Sequence, residues 1–420
     1  MTGQRQTSEL DRRAFLAAVG GTATLAGCLS GSGDSGGNDR PALSDRTLRY
    51  GAVLPQSGAL ESAGQVLING AELPVTELEA AGIAPDIEFA VRDSETTPTG
   101  AIDAAQSLIE EEFPAIVGAA ASGSTLQMTQ QATIPAEVVS CSPSATTPTL
   151  SILSDRGFSF RTAPVDSLQA VIVAQLATAE HGASSASTLY VQGDYGRQLS
   201  GAFSASFDGE ILTQQSYSPE SDSYSETLET VLRGDPDILF VVGYPDGGIP
   251  LLQTYYDEHE NSEVLFISDG LIDGSVEENV DFHEDVYGVV PASVGPGQGN
   301  FVSMYTDEYG AEPGLFGSNT YDAAATILLA NAAAGANDGA AIARQMRQVT
   351  VEGGTEIQPG NLAEGIERAG AGEEIHYRGA AGEIEFDENG DGGPVQYEYL
   401  TFTDSGREIL GEQTPPEGSA

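Results

Sequence analysis

From Thr47 onward, short apolar runs alternate with longer stretches in which apolar residues recur at helical spacing. The runs at 48–54, 87–91, 115–117, 138–142, 188–191, 238–242 and 264–268 are apolar or small through most of their length. Such runs predict strands covered on both faces, as in parallel sheets. Between them, 99–112, 167–181, 223–233 and 249–259 carry the spacing of amphipathic helices. Strand–helix alternation of this kind predicts an α/β fold with parallel central sheets. The pattern then changes. Three helix-like segments follow at 300–309, 320–334 and 340–350, and a Gly-punctuated β region begins at Tyr377. The helix expected after the first strand contains Pro74, which should kink or shorten it.

The N-terminus departs from this alternation. Residues 11–28 read DRRAFLAAVGGTATLAGC. Arg12 and Arg13, followed by Phe15 and Leu16, resemble a twin-arginine export signal. The apolar stretch at 14–26 is too short to span a bilayer but suits a signal-peptide core. Leu25-Ala26-Gly27-Cys28 is similar to a lipoprotein cleavage box, so Cys28 is the expected lipidation site, ahead of an ordinary cleaved signal with a coincidental Cys. The expected location is the extracellular face of the cell membrane, held by that lipid. Residues 29–46 are Gly- and Ser-rich without periodicity, the composition of a flexible tether. Within them Gly33-Asp34-Ser35-Gly36-Gly37 matches the serine motif of trypsin-like proteases. Those enzymes place a His before that motif, whereas the first His here is His181.

Charge narrows the class further. Sixty-three acids against 16 Arg, with no Lys, give a formal net charge of −47. Such an excess self-repels in dilute salt, while in molar salt the Debye length shrinks to about 3 Å. With 40% hydrophobic residues in patterned runs, the chain can build a core, so a halophilic globular protein is expected and not an acidic disordered one. No basic face exists to meet phosphates, which argues against a nucleic-acid partner. Cys141 lies inside an apolar run and reads as a buried thiol.

In parallel α/β sheets, ligands bind beyond the carboxyl ends of the strands. The segments there are PQSG after Leu54, GAAASGST after Val117 and SCSPSATTP after Val139. Small hydroxyl residues and free backbone N–H groups at a helix N-terminus suit a carboxylate. Each loop alone reads more readily as helix capping. Their recurrence at successive strand ends favours a site.

These segments resemble the branched-chain amino-acid-binding protein family, periplasmic-type receptors of ABC importers, here of a haloarchaeal type. The matching stretches run in order from about Leu48 to Phe402: GAVLPQSGAL, AIVGAAASGST, SPSATTPTL, FRTAPVDS, LYVQGDYGRQL, PDILFVVGYPDGG, ISDGL, YGAEPG with SNTYDAA, and YRGAAGEIEFDENGD. The resemblance implies two Rossmann-like lobes joined by three crossovers, expected near 162–165, 290–293 and 375–378. Lobe one would be 47–163 plus 291–375, lobe two 164–290 plus 376–410, with 411–420 a tail. It implies that Ser122 meets a ligand carboxylate, with Ser144 and Thr146 on the same head group. Tyr195 and Tyr244 would close over the ligand from the other lobe, and Asp269 would take its α-ammonium. Gln56, Leu60 and Glu61 in the first loop do not single out an aliphatic ligand, so another amino acid, an amide or a urea-like solute stays open. The implied partners are a small-molecule ligand, an ABC permease with its ATPase, and the membrane through the lipid anchor. No cofactor is implied.

Other chemistry fits the sequence less well. His181, His259, His283 and His376 show no metal-ligand spacing. The usual phosphate loop requires Lys. Asp387 to Gly392, with Glu398 in twelfth place, fits a calcium loop formally, but hairpin strands expected at 384–386 and 395–399 favour a β-turn. An enzyme is therefore not expected, and a transport receptor is favoured over a sensor of the same fold.

Overall fold

The computed structural model describes residues 42–416 apart from 84, 261, 283, 284, 394, 404 and 405. Cys28, the twin-arginine pair and most of the tether lie outside the described residues, as does His283.

The chain begins with β1 (Thr47–Leu54), α1 (Glu61–Ala81), β2 (Asp86–Asp93), α2 (Pro98–Glu110), β3 (Ala115–Gly118) and α3 (Ser122–Met128). A π-helical stretch, Thr129–Thr133, and α4 (Ile134–Ala136) lead to β4 (Val139–Ser142) and β5 (Ser159–Arg161). These strands form a parallel sheet in the order β2-β1-β3-β4-β5. The chain then builds a second layered unit. It comprises α5 (Asp166–Ala179), β6 (Ser185–Val191), α6 (Asp194–Ser206), β7 (Glu210–Tyr217), α7 (Ser225–Val231), β8 (Ile238–Val242), α8 (Pro245–Glu258), β9 (Val264–Ile267), α9 (Gly274–Asn279) and β10 (Val286–Pro291). It returns to the first lobe with α10 (Gln298–Tyr309), α11 (Gly317–Ala334), α12 (Gly339–Met346), β11 (Thr355–Ile357), α13 (Leu362–Ala371) and β12 (Ile375–Tyr377), where β11 and β12 pair with each other in a separate parallel sheet. It finishes on the second sheet with β13 (Tyr397–Thr403) and β14 (Gly406–Gln413), giving the order β14-β13-β10-β9-β8-β6-β7. The last two strands run antiparallel, along the β10 edge.

The apolar runs became strands because helices cover both sheet faces, and every residue of Ile238–Val242 is buried. The α11 sequence, rich in Ala and Leu, buries all but its last residue among β1, α1, α12 and α13. Gly70 of α1 lets that helix approach closely, since a Cβ there would lie 2.7 Å from the Gly317 carbonyl oxygen. Pro74 does not shorten α1, which runs unbroken for 21 residues. Packing of Leu67, Ala71, Leu73 and Leu78 into the core compensates for the hydrogen bond that Pro removes.

Two expectations are corrected. The third crossover does not fall at 375–378, because Ile384 and Phe386 are buried in the core of the first lobe. The chain passes to the second lobe between Asp391, still paired to Arg161 of β5, and Tyr397 of β13. The stretch 376–391 therefore belongs with lobe one, and 384–386 forms no hairpin strand. Asp387 does form a turn, its Oδ1 accepting the N–H groups of Asn389 at 2.7 Å and Asp391 at 3.0 Å.

Candidate functional site

Both sheets have a topological switch point, where neighbouring strands send their following loops in opposite directions. In the first sheet it lies between β1 and β3, in the second between β6 and β8. The loops leaving these four strands open onto one cleft between the lobes, with a cavity of about 330 Å³. That volume suits a small metabolite.

Five of the six expected ligand residues line this cavity: Ser144, Thr146, Tyr195, Tyr244 and Asp269. Ser122 does not. It is the first residue of α3 and is fully buried, and its main-chain N–H reaches the Tyr244 hydroxyl of the opposite lobe. The Ser144 hydroxyl donates to the Ala120 carbonyl at 3.2 Å, tying the loop after β4 to the loop after β3. The lobes also meet where Gln198 of α6 donates to the Thr149 hydroxyl at 3.0 Å.

Arg161 holds the hydroxyl loop from behind. Its side chain is 1% exposed and donates to the carbonyls of Ala145 and Thr147, to Ser151 and, at 2.6 Å, to Asp391. The spacing of FRTAP gave no sign of this role, because Arg161 touches loops distant from it in sequence.

Asp269 follows β9 and is 4% exposed. Its Oδ1 accepts the Tyr195 hydroxyl at 2.6 Å and the Gln169 amide at 3.2 Å. Burial raises its carboxyl above the ordinary range, and these donors oppose the rise. Tyr195 and Tyr244 stack with ring centroids 5.0 Å apart and planes 14° from parallel. Burial is the main cause of the raised phenol pKa values of both, so each hydroxyl keeps its proton.

Beside them sits an acid that sequence reasoning passed over. Asp166, the first residue of α5, is 1% exposed. Neither of its carboxylate oxygens has a partner at hydrogen-bond geometry among the described residues. Burial pushes its carboxyl up to about 8, and the charge of Asp269 adds to the rise. The nearby Thr146 hydroxyl and Arg161 give only partial relief. A lone Asp at a helix start reads as a cap, which hid it.

Apolar residues complete the cavity. Leu60, Val66 and Leu67 come from the α1 region, Leu315 and Phe316 from the entry to α11, and Ile272 from the second lobe. Of the first-loop residues weighed from sequence, Leu60 lines the cavity, whereas Gln56 and Glu61 do not. Phe316 holds a positive φ of 63°, an uncommon conformation for a bulky residue and one that is tolerated where surrounding packing fixes it. Arg407 of β14 borders the cavity and pairs with Glu277 at 2.8 Å. No pattern in the β14 sequence pointed there.

No helix among the described residues is long and apolar enough to cross a membrane. The chain is similar to the substrate-binding protein BasB of a chemotactic signal transduction system in Halobacterium salinarum. The two are 28% identical over 346 residues, covering 80% of this chain and 82% of that one. Two solved structures share the fold. The leucine-binding protein LivK of Thermotoga maritima is 21% identical, with a TM-score of 0.72 over 88% of this chain and 99% of its own. The branched-chain amino acid transporter substrate-binding protein LivJ of Streptococcus pneumoniae, solved with isoleucine, is 22% identical, with a TM-score of 0.72 over 88% of this chain and 100% of its own. The sequence model described as periplasmic binding protein matches residues 47–400. With that match spanning both lobes and the cleft between them, the chain belongs to the periplasmic binding protein family.

Proposed function

We propose that the protein is the extracytoplasmic solute receptor of an ABC importer, binding an amino acid with an apolar side chain, of the branched-chain kind or close to it. One observation carries this reading: the cavity combines hydroxyl loops, a buried acid and an apolar wall in one enclosure. A zwitterion with an aliphatic side chain is complementary to all three. Its carboxylate would meet Ser144, Thr146 and the α3 N-terminus, with Ser122 acting from behind through Tyr244. Its ammonium would meet Asp269 in a charge-assisted hydrogen bond. Closure by hinge motion would present a ligand-dependent surface to a permease and its ATPase. In this reading Cys28 carries the lipid after twin-arginine export, and the role is binding without catalysis. The similarity to LivJ and LivK supports an amino-acid ligand.

A sensory receptor is the second reading, favoured by the chemotactic role in BasB's name. Thermal unfolding of the full chain in molar salt tests the ligand class, with leucine, isoleucine, valine, amides, urea and carboxylates lacking an amine as probes. At 100 times its Kd a true ligand adds about 2.7 kcal/mol of stability. Shifts only with amine-free compounds would overturn the amino-acid reading. Loss of ligand uptake in a deletion strain supports transport, whereas loss of chemotaxis with uptake intact supports sensing.

A further inference from the structure

Asp166 and Gln169 are three residues apart on α5, and so share one face of the helix. Gln169 donates to Asp269, and the charge of Asp269 acts on the buried Asp166 carboxylate one helical turn before Gln169. Of these two acids, one is bonded to Tyr195 and Gln169, while the other has the Thr146 hydroxyl nearby and no partner at hydrogen-bond geometry among the described residues. Asp194, at the start of α6, adds a further negative charge to the field at Asp166. The cation acting on Asp166 is Arg161, already bound to Asp391 and to loop carbonyls. From the remaining elements, hydroxyls face it: Thr146 after β4, Tyr195 and Tyr244 in the cleft, and Tyr397 at the start of β13. Two buried carboxylates within reach of each other's charge and with so little compensation cannot both ionise cheaply.

We propose that Asp166 and Asp269 share one proton in the unliganded protein and that the ligand's ammonium displaces it to solvent. The inference rests on the amino-acid reading above. The charge balance is conserved. Without ligand the pair carries one proton and one negative charge. With an ammonium against Asp269, the pair loses its proton and the corner again carries one net negative charge. Binding is therefore coupled to proton release, and ligands without a cationic head gain nothing from the exchange. The α5 N-terminus favours the ionised form of Asp166 once the ammonium is in place. The consequence is an affinity that rises with pH while the free pair holds its proton.

The test is calorimetric titration of the full chain with L-leucine in molar salt at pH 7, in phosphate and in Tris, whose ionisation heats differ. We expect release of close to one proton per leucine, and an affinity rising about tenfold per pH unit between pH 6 and 7. In an Asp166→Asn variant, leucine binding should proceed with no proton released and no such pH dependence. Leucine binding by the native chain with no proton release would overturn the sharing but leave the amino-acid reading intact. Release unchanged in Asp166→Asn would do the same. No binding of leucine, isoleucine or valine to the native chain would overturn both.

Discussion

Asp269 shows how one residue's environment decides its role. Among 63 acids a given Asp is usually solvated, yet this one ends a buried strand and keeps only a small exposed area toward the cavity. Its bonds to Tyr195 and Gln169 fix the carboxylate before any ligand arrives, so little ordering cost remains on binding. Truncating one partner of a buried charge pair costs about 2–5 kcal/mol. Asp269→Ala should therefore weaken an amino-acid ligand at least about 30-fold while the chain still unfolds cooperatively. Calorimetry with leucine checks this, and unchanged affinity would remove Asp269 from the site. Ser122 carries the opposite lesson. Sequence reasoning expects it at the head group, whereas in the structure it is buried and its main chain, not its hydroxyl, acts on Tyr244.

At the scale of elements, the site is assembled by loops that leave strands on either side of two switch points. Gly118 shows how tightly this is built: its φ is 127°, and a Cβ there would lie 2.2 Å from the Val53 carbonyl oxygen. Only Gly allows β3 to turn into α3 so close to β1. Across the cleft, α6 touches lobe one through Gln198 and Thr149, a contact that exists only when the lobes meet. Removing it should lower the population of the closed form and with it the apparent affinity. For Gln198→Ala we expect a loss of about 2- to 10-fold, the worth of one hydrogen bond, mostly in the off-rate. Stopped-flow release of a bound amino acid measures it. An unchanged off-rate would show that Gln198 has no part in holding the lobes together.

For the whole molecule, buried acids give the stability curve an unusual sign. Burial raises Asp322 to about 7 even though Tyr377, Ala380 and Ala381 all donate to it, and Asp166 stands at about 8. Both folded values lie above the ordinary carboxyl range, so in the unfolded chain these groups ionise earlier. Their contribution is fully present below the unfolded value and is lost as pH rises through 7 to 8. His181, lowered by burial, works the other way, but only as pH falls through its own range. Asp93, Asp237 and Glu383, held below their ordinary values, act only in more acidic solution. Without ligand in molar salt, unfolding free energy should therefore fall from pH 5 to pH 8, as denaturant titration would show. A rise over that range would mean that these acids are already ionised in the folded chain.

The alternation of apolar runs and amphipathic stretches determined the central strands and helices, because strands covered on both faces leave long apolar runs that no surface constraint interrupts. Two edge strands, unlike β2, were not legible in the same way. The edge strand β7 reads EILTQQSY, with only Tyr217 buried, and β5 spans three residues. Hydroxyl loops after strands and an acid closing an apolar strand also pointed to the cleft, since each follows from local order along the chain. Where the third crossover falls, what Arg161 and Arg407 touch, and how Asp166 comes to lie buried within the field of Asp269 depend on segments far apart in sequence. Such proximities carry no periodicity. They exist only once both sheets are formed and the lobes meet, and tertiary structure alone decided them.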